Sequence, residues 1–526
     1  MKAKQSYAGQ GELLHSELTQ NIEAQDLVKA EIVLAHLGEV EASWRKKMVV
    51  ALQSADPDWV LRLLVRHFRK EPEHRSHFEE YGELVWDMVE NHPELLKKHV
   101  NETFRPFIVE ALRREAREKL ILNAMELCEW VHDEEIVPLV ADYLYSGKRV
   151  FVTTSVKALG AMGLPRGYEA LTERMGTDRE IDHLVLDVIA QNPQPGGMAI
   201  LIQTVMAPEA AIRNHAKNLL TRLGKTAVPF LCDALSKPDK DLQIHILNVL
   251  GLIEDGHAVE PIRDLLLHGA EDANVRFAAY EALGSLPLKT KSYALAVGLS
   301  DEDEQVRFAA ARAINKNLSP SLERGLFNMV KPHNKEVVHL IEVFLNSESD
   351  RIFLTLLKEE FFKEQATLYL VEKAHPELRE HYAQLLRRYG ETEMAEIISP
   401  SAKEEKQAAD IWAVDDSRMV LKIYRKQLHK LDRETELFEF PSRALEKIES
   451  ERPKLIFVDL NMPEMNGLDF ARKVREHYNS KELPIILVTT QTETQDQSEV
   501  KAAGINQVLS KPFTEEDLAG AMKRWL

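Results

Sequence analysis

The chain has 526 residues, too many for one hydrophobic core, so we expect about three domains or a repeat array. Its composition, with 44% hydrophobic and 29% charged residues, is typical of a globular protein. The net charge of −18 argues against general binding to nucleic acid or anionic lipid, because both need a basic surface. The N-terminal residues are polar and no apolar run is long enough to span a bilayer, so we expect a cytoplasmic protein with neither secretory signal nor membrane span.

The first three quarters of the chain have a helical pattern. We expect residues 1–18 to form a flexible N-terminus. From 19 to 398, apolar residues recur at the helical spacing, in segments separated by short breaks such as Asp56-Pro57 and Lys237-Pro238-Asp239. We find no convincing strand in this region, which therefore predicts an all-α structure.

These predicted helices repeat. The segment Val275–Leu283 recurs as Val306–Ile314, a step of 31 residues, and both follow a Val-Arg-x-x-Ala-x-x-Ala-Leu pattern or a close variant. Weaker copies of the segment begin at Phe151, Ile181, Ile212, Leu242 and Val337. A two-helix unit of this length cannot bury its apolar face alone, so the units must stack. The spacing and the signature resemble HEAT repeats of the short bacterial type, and we extend this α-solenoid over 19–398.

A different pattern follows a polar, proline-containing segment at 399–409, which we interpret as a linker. Within 410–526, short apolar runs alternate with helical segments, which predicts a parallel sheet with helices on both faces. The predicted strands are Ile411–Val414, Glu436–Phe440, Leu455–Val458, Ile485–Val488 and Gln507–Leu509. The predicted helices are Ser417–Leu428, Pro441–Glu449, Gly467–His477, Asp496–Ala503 and Thr514–Arg524.

Polar residues follow four of these strands. Asp415 and Asp416 come after the first strand, Asp459 after the third, Thr489 after the fourth and Lys511 after the fifth. Ligands of such sheets bind beyond the carboxyl ends of the strands. Crowded carboxylates need a cation, and Mg²⁺ prefers oxygen ligands. A magnesium ion, an ammonium group, a hydroxyl group and an ionised carboxylate together predict a site that accepts a phosphoryl group.

The motifs Val414-Asp415-Asp416, Val458-Asp459-Leu460-Asn461-Met462-Pro463 and Leu509-Ser510-Lys511-Pro512-Phe513 resemble the receiver domain of two-component response regulators, over the whole of 410–526. The resemblance implies a flavodoxin-like (βα)5 fold in which Asp459 accepts the phosphoryl group from a phosphohistidine. It also implies that Asp416, Asp459 and the backbone carbonyl of Asn461 hold Mg²⁺, with Asp415 acting directly or through water. Lys511 would pair with the phosphoryl oxygens, Thr489 would report the phosphoryl group, and the Lys511-Pro512 bond fits a cis peptide.

One position departs from the family. Val508 stands where an aromatic residue commonly rotates together with the threonine, and valine cannot act as a large rotameric lever. Gln491 lies near the expected path of a hydrolytic water. A degenerate receiver that is not phosphorylated is the alternative interpretation of this domain.

The repeats offer no enzymatic motif. Gly224-Lys225-Thr226 resembles the end of a phosphate-binding loop, but no strand precedes it, so we expect a turn. We therefore expect a protein that is not an enzyme. The predicted function is that of a response regulator whose partners are a sensor histidine kinase or phosphotransfer protein and an unknown protein bound by the solenoid as output. The alternative is a phosphate sink or scaffold in which the solenoid only localises the receiver.

Overall fold

A computed structural model describes residues 2–74, 79–113, 117–131, 133–268, 270–332, 334–399, 409–462, 465–489 and 497–526. Gln491 and most of the predicted linker lie outside these residues. By its internal packing the chain divides into two compact units, Met1–Leu201 and Ile202–Leu526. Among the helices that the structure describes, none combines the length and the apolarity that a membrane-spanning segment needs.

The first unit consists of helices. Its α-helices are Lys2–Glu23, Leu27–Ala35, Ala42–Gln53, Pro57–Lys70, Glu79–Asn91, Pro93–Leu96, Arg105–Leu112, Glu118–Leu127, Val137–Ala141, Arg149–Met162, Pro165–Arg174 and Arg179–Gln191. The helix Pro195–Thr204 runs across the boundary between the two units. The chain begins with a helix where the sequence predicts an irregular end, because Leu18 is fully buried and Gly11 packs against the ring of Trp44.

The second unit begins with further helical repeats. Their α-helices are Ala210–Leu223, Val228–Leu235, Lys240–Ile253, Val259–His268, Ala273–Ser285, Glu304–Lys316, Pro320–Val330, Lys335–Asn346, Asp350–Leu356, Glu360–Glu372, Pro376–Tyr389 and Thr392–Ile398. A 3₁₀ turn, Gly224–Thr226, stands where the sequence analysis expected a turn between helices.

Successive repeat helices lie close together because small residues meet at their contacts. A Cβ atom placed on Gly251 would lie 3.2 Å from the Cα atom of Ala282, and one on Gly284 would lie 3.1 Å from that of Ala313. An aspartate caps the N-terminus of several of these helices: Asp272, for example, accepts a hydrogen bond from the backbone N–H of Asn274. The Ala-rich signature therefore sets how closely the helices stack.

The C-terminal domain is a five-stranded parallel sheet, in the order β2-β1-β3-β4-β5, with helices between the strands. The strands are β1 Ile411–Val414, β2 Thr435–Phe438, β3 Leu455–Asp459, β4 Ile485–Thr489 and β5 Gln507–Ser510. The helices are Arg418–Lys430, Pro441–Ile448, Gly467–Arg475, Gln497–Ala502 and Glu515–Trp525. The central strands β1, β3 and β4 are buried along their whole length, as expected of a parallel sheet covered on both faces. The predicted fold class, an all-α repeat region followed by an α/β domain, is confirmed.

The first helix of this domain, Arg418–Lys430, packs against the repeat helices Glu304–Lys316 and Lys335–Asn346. We call it the docking helix. Lys426 on this helix pairs with Glu304 at 2.6 Å, and its ammonium group lies 5.1 Å from the ring centroid of Phe308. The repeats and the C-terminal domain are thus in direct contact within the second unit.

Candidate functional site

The carboxyl ends of the parallel strands β1, β3, β4 and β5 lie at one edge of the sheet. The strand order changes direction between β1 and β3, and ligands of such sheets bind at this switch point. Asp415 directly follows β1, Asp459 is the last residue of β3, Thr489 ends β4 and Lys511 follows β5. We call this edge the acidic rim. The structure therefore gathers side chains that are as many as 96 residues apart in the chain.

Lys511 bridges two of the carboxylates. Its Nζ atom lies 2.7 Å from Asp415 Oδ2 and 2.7 Å from Asp459 Oδ1. All three side chains are almost completely buried. Burial lowers the pKa of Lys511, but the two carboxylates reverse that effect and hold the pKa above its ordinary value. The ammonium group therefore stays charged between the two acids.

The carboxylates outnumber the cations at the acidic rim. Burial raises the pKa of Asp415 to about 6, because Lys511 offsets only part of the burial and Asp459 adds repulsion. The protein packed around it and the charges of Asp459 and Asp415 raise the pKa of Asp416 to about 7, although its side chain keeps contact with solvent. Three carboxylates and one ammonium leave two negative charges, so this oxygen-rich set fits a divalent cation such as Mg²⁺.

Asp459 is held from both sides. Lys511 contacts its Oδ1 atom, and the backbone N–H of Asn461 donates to its Oδ2 atom at 2.8 Å. The backbone N–H of Asn461 thus lies beside the carboxylate, and the role of its backbone carbonyl as a Mg²⁺ ligand stays a prediction. Gly467 opens the next helix so close to this strand end that a Cβ atom there would lie 2.3 Å from the backbone oxygen of Asp459. Only glycine fits, because the clash would be with backbone.

The ends of β4 and β5 complete the acidic rim. Thr489 is buried, and its backbone oxygen accepts a hydrogen bond from the N–H of Lys511 at 2.8 Å. The Lys511-Pro512 peptide bond is cis, in agreement with the sequence analysis. Val508, the departure from the family pattern, is 37% exposed on β5. This strand alternates between half-buried and exposed residues, so its outer face remains accessible.

The repeats also contribute to the surroundings of the acidic rim, and sequence reasoning missed this contribution. Asn274, at the start of the repeat helix Ala273–Ser285, donates from its side chain to the backbone oxygen of Lys511 at 2.7 Å. Burial lowers the pKa values of Arg213 and Lys217 on the repeat helix Ala210–Leu223, and the charges of Asp416 and Asp459 act in the opposite direction. No local motif marks Asn274, since its partner lies 237 residues away in the chain.

Comparisons with known proteins agree with this geometry. Residues 411–523 match the family model of the response regulator receiver domain, and residues 228–315 match that of HEAT repeats. The chain is 39% identical over 107 residues to the chemotaxis protein CheY1 of Helicobacter pylori, covering 20% of this chain and 86% of that protein. It is 28% identical over 118 residues to the aerobic respiration control sensor protein ArcB of Escherichia coli, covering 22% of this chain and 15% of that protein.

A solved structure is also similar to the C-terminal domain. It is the receiver domain of a sensor histidine kinase from Pseudomonas aeruginosa, with a magnesium ion coordinated in its active-site cleft. The identity is 26%, the match covers 23% of this chain and 98% of that chain, and the TM-score is 0.21.

Proposed function

Because this chain belongs to the response-regulator receiver family through its C-terminal domain, we propose that Asp459 accepts a phosphoryl group from a histidine kinase or a phosphotransfer protein in the cytoplasm. The observation that carries the proposal is the acidic rim. Its nucleophilic carboxylate is held by Lys511 and by the backbone N–H of Asn461. This arrangement orients one carboxylate while leaving the site short of positive charge.

The chemistry follows from these groups. An oxygen of Asp459 forms a bond to phosphorus while the bond between phosphorus and the donor imidazole nitrogen breaks, and the imidazole retains the electron pair of that bond. Asp459 needs no general base because a carboxylate is already a nucleophile. Lys511 stabilises the negative charge on the transferred oxygens. Asp415, Asp416, Asp459 and the backbone carbonyl of Asn461 would hold Mg²⁺, which supplies further positive charge to the phosphoryl oxygens when bound.

We propose that the helical repeats are the output, binding a protein partner in a manner that depends on phosphorylation. The support is the contact between Asn274 and the backbone oxygen of Lys511, because it joins a repeat helix to the residue whose side chain would pair with the phosphoryl oxygens. The docking helix adds ion pairs to the same repeats, including Lys422 with Glu348. A phosphate sink, the alternative, needs no such coupling between the two parts.

Phosphate uptake tests the acceptor. The full chain should take up radiolabel from acetyl phosphate in the presence of Mg²⁺, and the near-isosteric change Asp459→Asn should abolish uptake while leaving the melting temperature nearly unchanged. Asp469→Asn is the matched control, because Asp469 is half exposed and pairs with Arg472 on the surface of the same helix. Radiolabel retained by the Asp459→Asn chain would overturn the assignment.

Solution scattering tests the output. We expect the scattering curve of the full chain to change when beryllofluoride, a mimic of the phosphoryl group, is added with Mg²⁺. The Asp459→Asn chain should show no change under the same conditions. Identical curves for the wild-type chain with and without the mimic would contradict coupling to the repeats and favour the phosphate sink.

A further inference from the structure

Two histidines and a glutamate meet where the C-terminal domain contacts the repeats. His375 precedes the repeat helix Pro376–Tyr389. His429 lies in the last turn of the docking helix, and Glu434 comes just before β2. One ligand atom of each side chain, a ring nitrogen or a carboxylate oxygen, lies within 4.8 Å of the other two. The two rings are T-shaped, with centroids 4.9 Å apart. The repeats and the C-terminal domain therefore both contribute to one cluster, which we call the interdomain triad.

The end of the docking helix brings His429 and Glu434 together. The backbone N–H of Asp432 donates to the carbonyl oxygen of His429 at 3.0 Å. The backbone N–H of Arg433 donates to the carbonyl oxygen of Leu428, also at 3.0 Å. Asp432 has a φ of 54°, the left-handed conformation that commonly ends a helix. The chain turns back at this point, so that Glu434 returns to the side of His429.

The side chains of the interdomain triad are available to bind an ion. Among the residues that the structure describes, neither the His429 ring nor the Glu434 carboxylate forms a hydrogen bond or an ion pair. The Nδ1 atom of His375 accepts a hydrogen bond from the backbone N–H of Glu377 at 3.2 Å. A metal ion bound to either ring nitrogen of His375 leaves Nδ1 without a lone pair for this hydrogen bond. The exposed N–H would then bind water, as the first N–H groups of a helix commonly do.

The surroundings of the interdomain triad also permit an ion. The nearby cations have acidic partners: Arg425 pairs with Glu377 at 3.0 Å, and Lys430 pairs with Glu515 at 3.5 Å. The triad borders a cavity of about 480 Å³, which both histidines line. This cavity leaves room for the water that completes the coordination of a metal ion held by three side chains.

We propose that the interdomain triad is a Zn²⁺ site that links the C-terminal domain to the repeats. Two imidazoles and a carboxylate, with water in the fourth position, are a ligand set that zinc takes in proteins. A position between the three ligand atoms lies within about 2.8 Å of each, and small side-chain rotations shorten this to the zinc bond lengths of about 2.0–2.2 Å. Mg²⁺ prefers oxygen ligands, so the acidic rim and the triad favour different ions. The inference does not depend on phosphorylation of Asp459.

Zinc bound at the interdomain triad should strengthen the docking of the C-terminal domain on the repeats. The three ligands come together only when the docking helix lies against the repeats, because His375 belongs to the repeats and the other two ligands to the C-terminal domain. An ion that binds only the docked state stabilises that state in proportion to its affinity. The concentration of free Zn²⁺ would thus control how firmly the two parts are held together.

Titration of the untagged full chain with Zn²⁺ tests the site. Saturating Mg²⁺ is added first to occupy the acidic rim, and calorimetry should then show one further site for Zn²⁺. Glu434→Gln removes the carboxylate with little change of shape and should weaken this binding by more than about 100-fold, because even the outer-shell partners of a metal site contribute about 10- to 100-fold. His429→Gln should have the same effect.

Two further variants separate ligation from structure. His375→Asn keeps a side-chain acceptor at the start of the repeat helix, because asparagine is a favoured capping residue, but it removes the imidazole. It should fold and lose Zn²⁺ affinity as Glu434→Gln does. His477→Asn is the matched control: His477 is an exposed histidine of the C-terminal domain outside the interdomain triad, so its loss should leave the affinity unchanged.

Amide hydrogen exchange tests the link between the two parts. Zn²⁺ should slow exchange in both the docking helix and the repeat helix Pro376–Tyr389 of the wild-type chain, and in neither helix of the Glu434→Gln chain. Absence of the further Zn²⁺ site, wild-type affinity in Glu434→Gln or His429→Gln, or an equal loss in His477→Asn would overturn the inference. Slower exchange in only one of the two helices would also overturn it, because the ion would then bind one part alone.

Discussion

The ion pair between Lys426 and Glu304 should control how firmly the C-terminal domain is docked on the repeats. The two side chains are 7% and 26% exposed, and their charged atoms lie 2.6 Å apart. Burial disfavours ionisation of Glu304, yet Lys426 lowers the pKa of that carboxyl below its ordinary value. Lys426→Met keeps the aliphatic packing of the side chain and leaves the Glu304 carboxylate without this partner.

The magnitude follows from the burial of the pair. Removing one partner of a fully buried pair costs about 3–5 kcal/mol, because the remaining charge is uncompensated. Glu304 keeps some contact with solvent, and Lys430 and Arg307 also act on it, so we expect a smaller loss of about 2–3 kcal/mol. The ratio of docked to undocked molecules should then fall about 30- to 150-fold.

Distances between spin labels measure this ratio. Cysteines introduced at Arg324 and Arg443, both exposed, place one label on the repeats and one on the C-terminal domain. Replacement of Cys232 by alanine removes the accessible native thiol, since Cys128 is buried. The wild-type chain should show one docked distance, and Lys426→Met should show a second, longer population.

Two control variants test the reasoning. Lys430→Met lies on the same helix, but Lys430 is 50% exposed and pairs with Glu515 at 3.5 Å, so the docked fraction should hardly change. The double variant Lys426→Met with Glu304→Gln should recover most of the docked population, because neither charge then remains unpaired. An unchanged distance distribution in Lys426→Met, or a double variant as undocked as the single one, would refute the argument.

Three further predictions concern the acidic rim. Lys511→Met should lower the melting temperature of the C-terminal domain, because the carboxylates of Asp415 and Asp459 then repel each other without a cation between them. Mg²⁺ should restore the melting temperature. Calorimetry in chelator and in Mg²⁺ checks both expectations. Because the pKa of Asp415 is raised from 3.8 to about 6, the folded state binds more protons than the unfolded state between these values. Stability in chelator should therefore fall as the pH rises through this window, and Mg²⁺ should remove the dependence; melting curves that are flat in chelator would contradict this. Gly467→Ala should destabilise the domain and reduce phosphate uptake, because the added Cβ atom clashes with the backbone oxygen of Asp459. A melting temperature and a phosphate uptake equal to those of the wild type would contradict this prediction.

The sequence was sufficient to predict the fold class and the positions of the strands. Strand β1 has the predicted bounds, and the other four differ from prediction by one or two residues at their ends. The reason is that each helix or strand buries its own apolar face, so the spacing of apolar residues along the sequence indicates the type and position of the element. The prediction from apolar periodicity was wrong at the N-terminus. Helix Lys2–Glu23 has only a weak apolar periodicity and is stabilised by contacts with later helices.

The candidate site could be predicted because its residues stand at strand ends. In a parallel sheet the residues at the carboxyl ends of the strands lie at one edge. The alternation of strands and helices therefore predicts that Asp415, Asp459 and Lys511 lie close together, as they do in the structure. The order of the strands decides only which of them are adjacent. The sequence thus determined the acidic rim almost completely.

The surroundings of that rim were decided by tertiary structure alone. Asn274 meets Lys511 and Lys426 meets Glu304 across 237 and 122 residues of chain, and no spacing rule connects such pairs. Local patterns record how each helix or strand buries its own apolar face, whereas the contact between two folded parts depends on surfaces that exist only after both have folded.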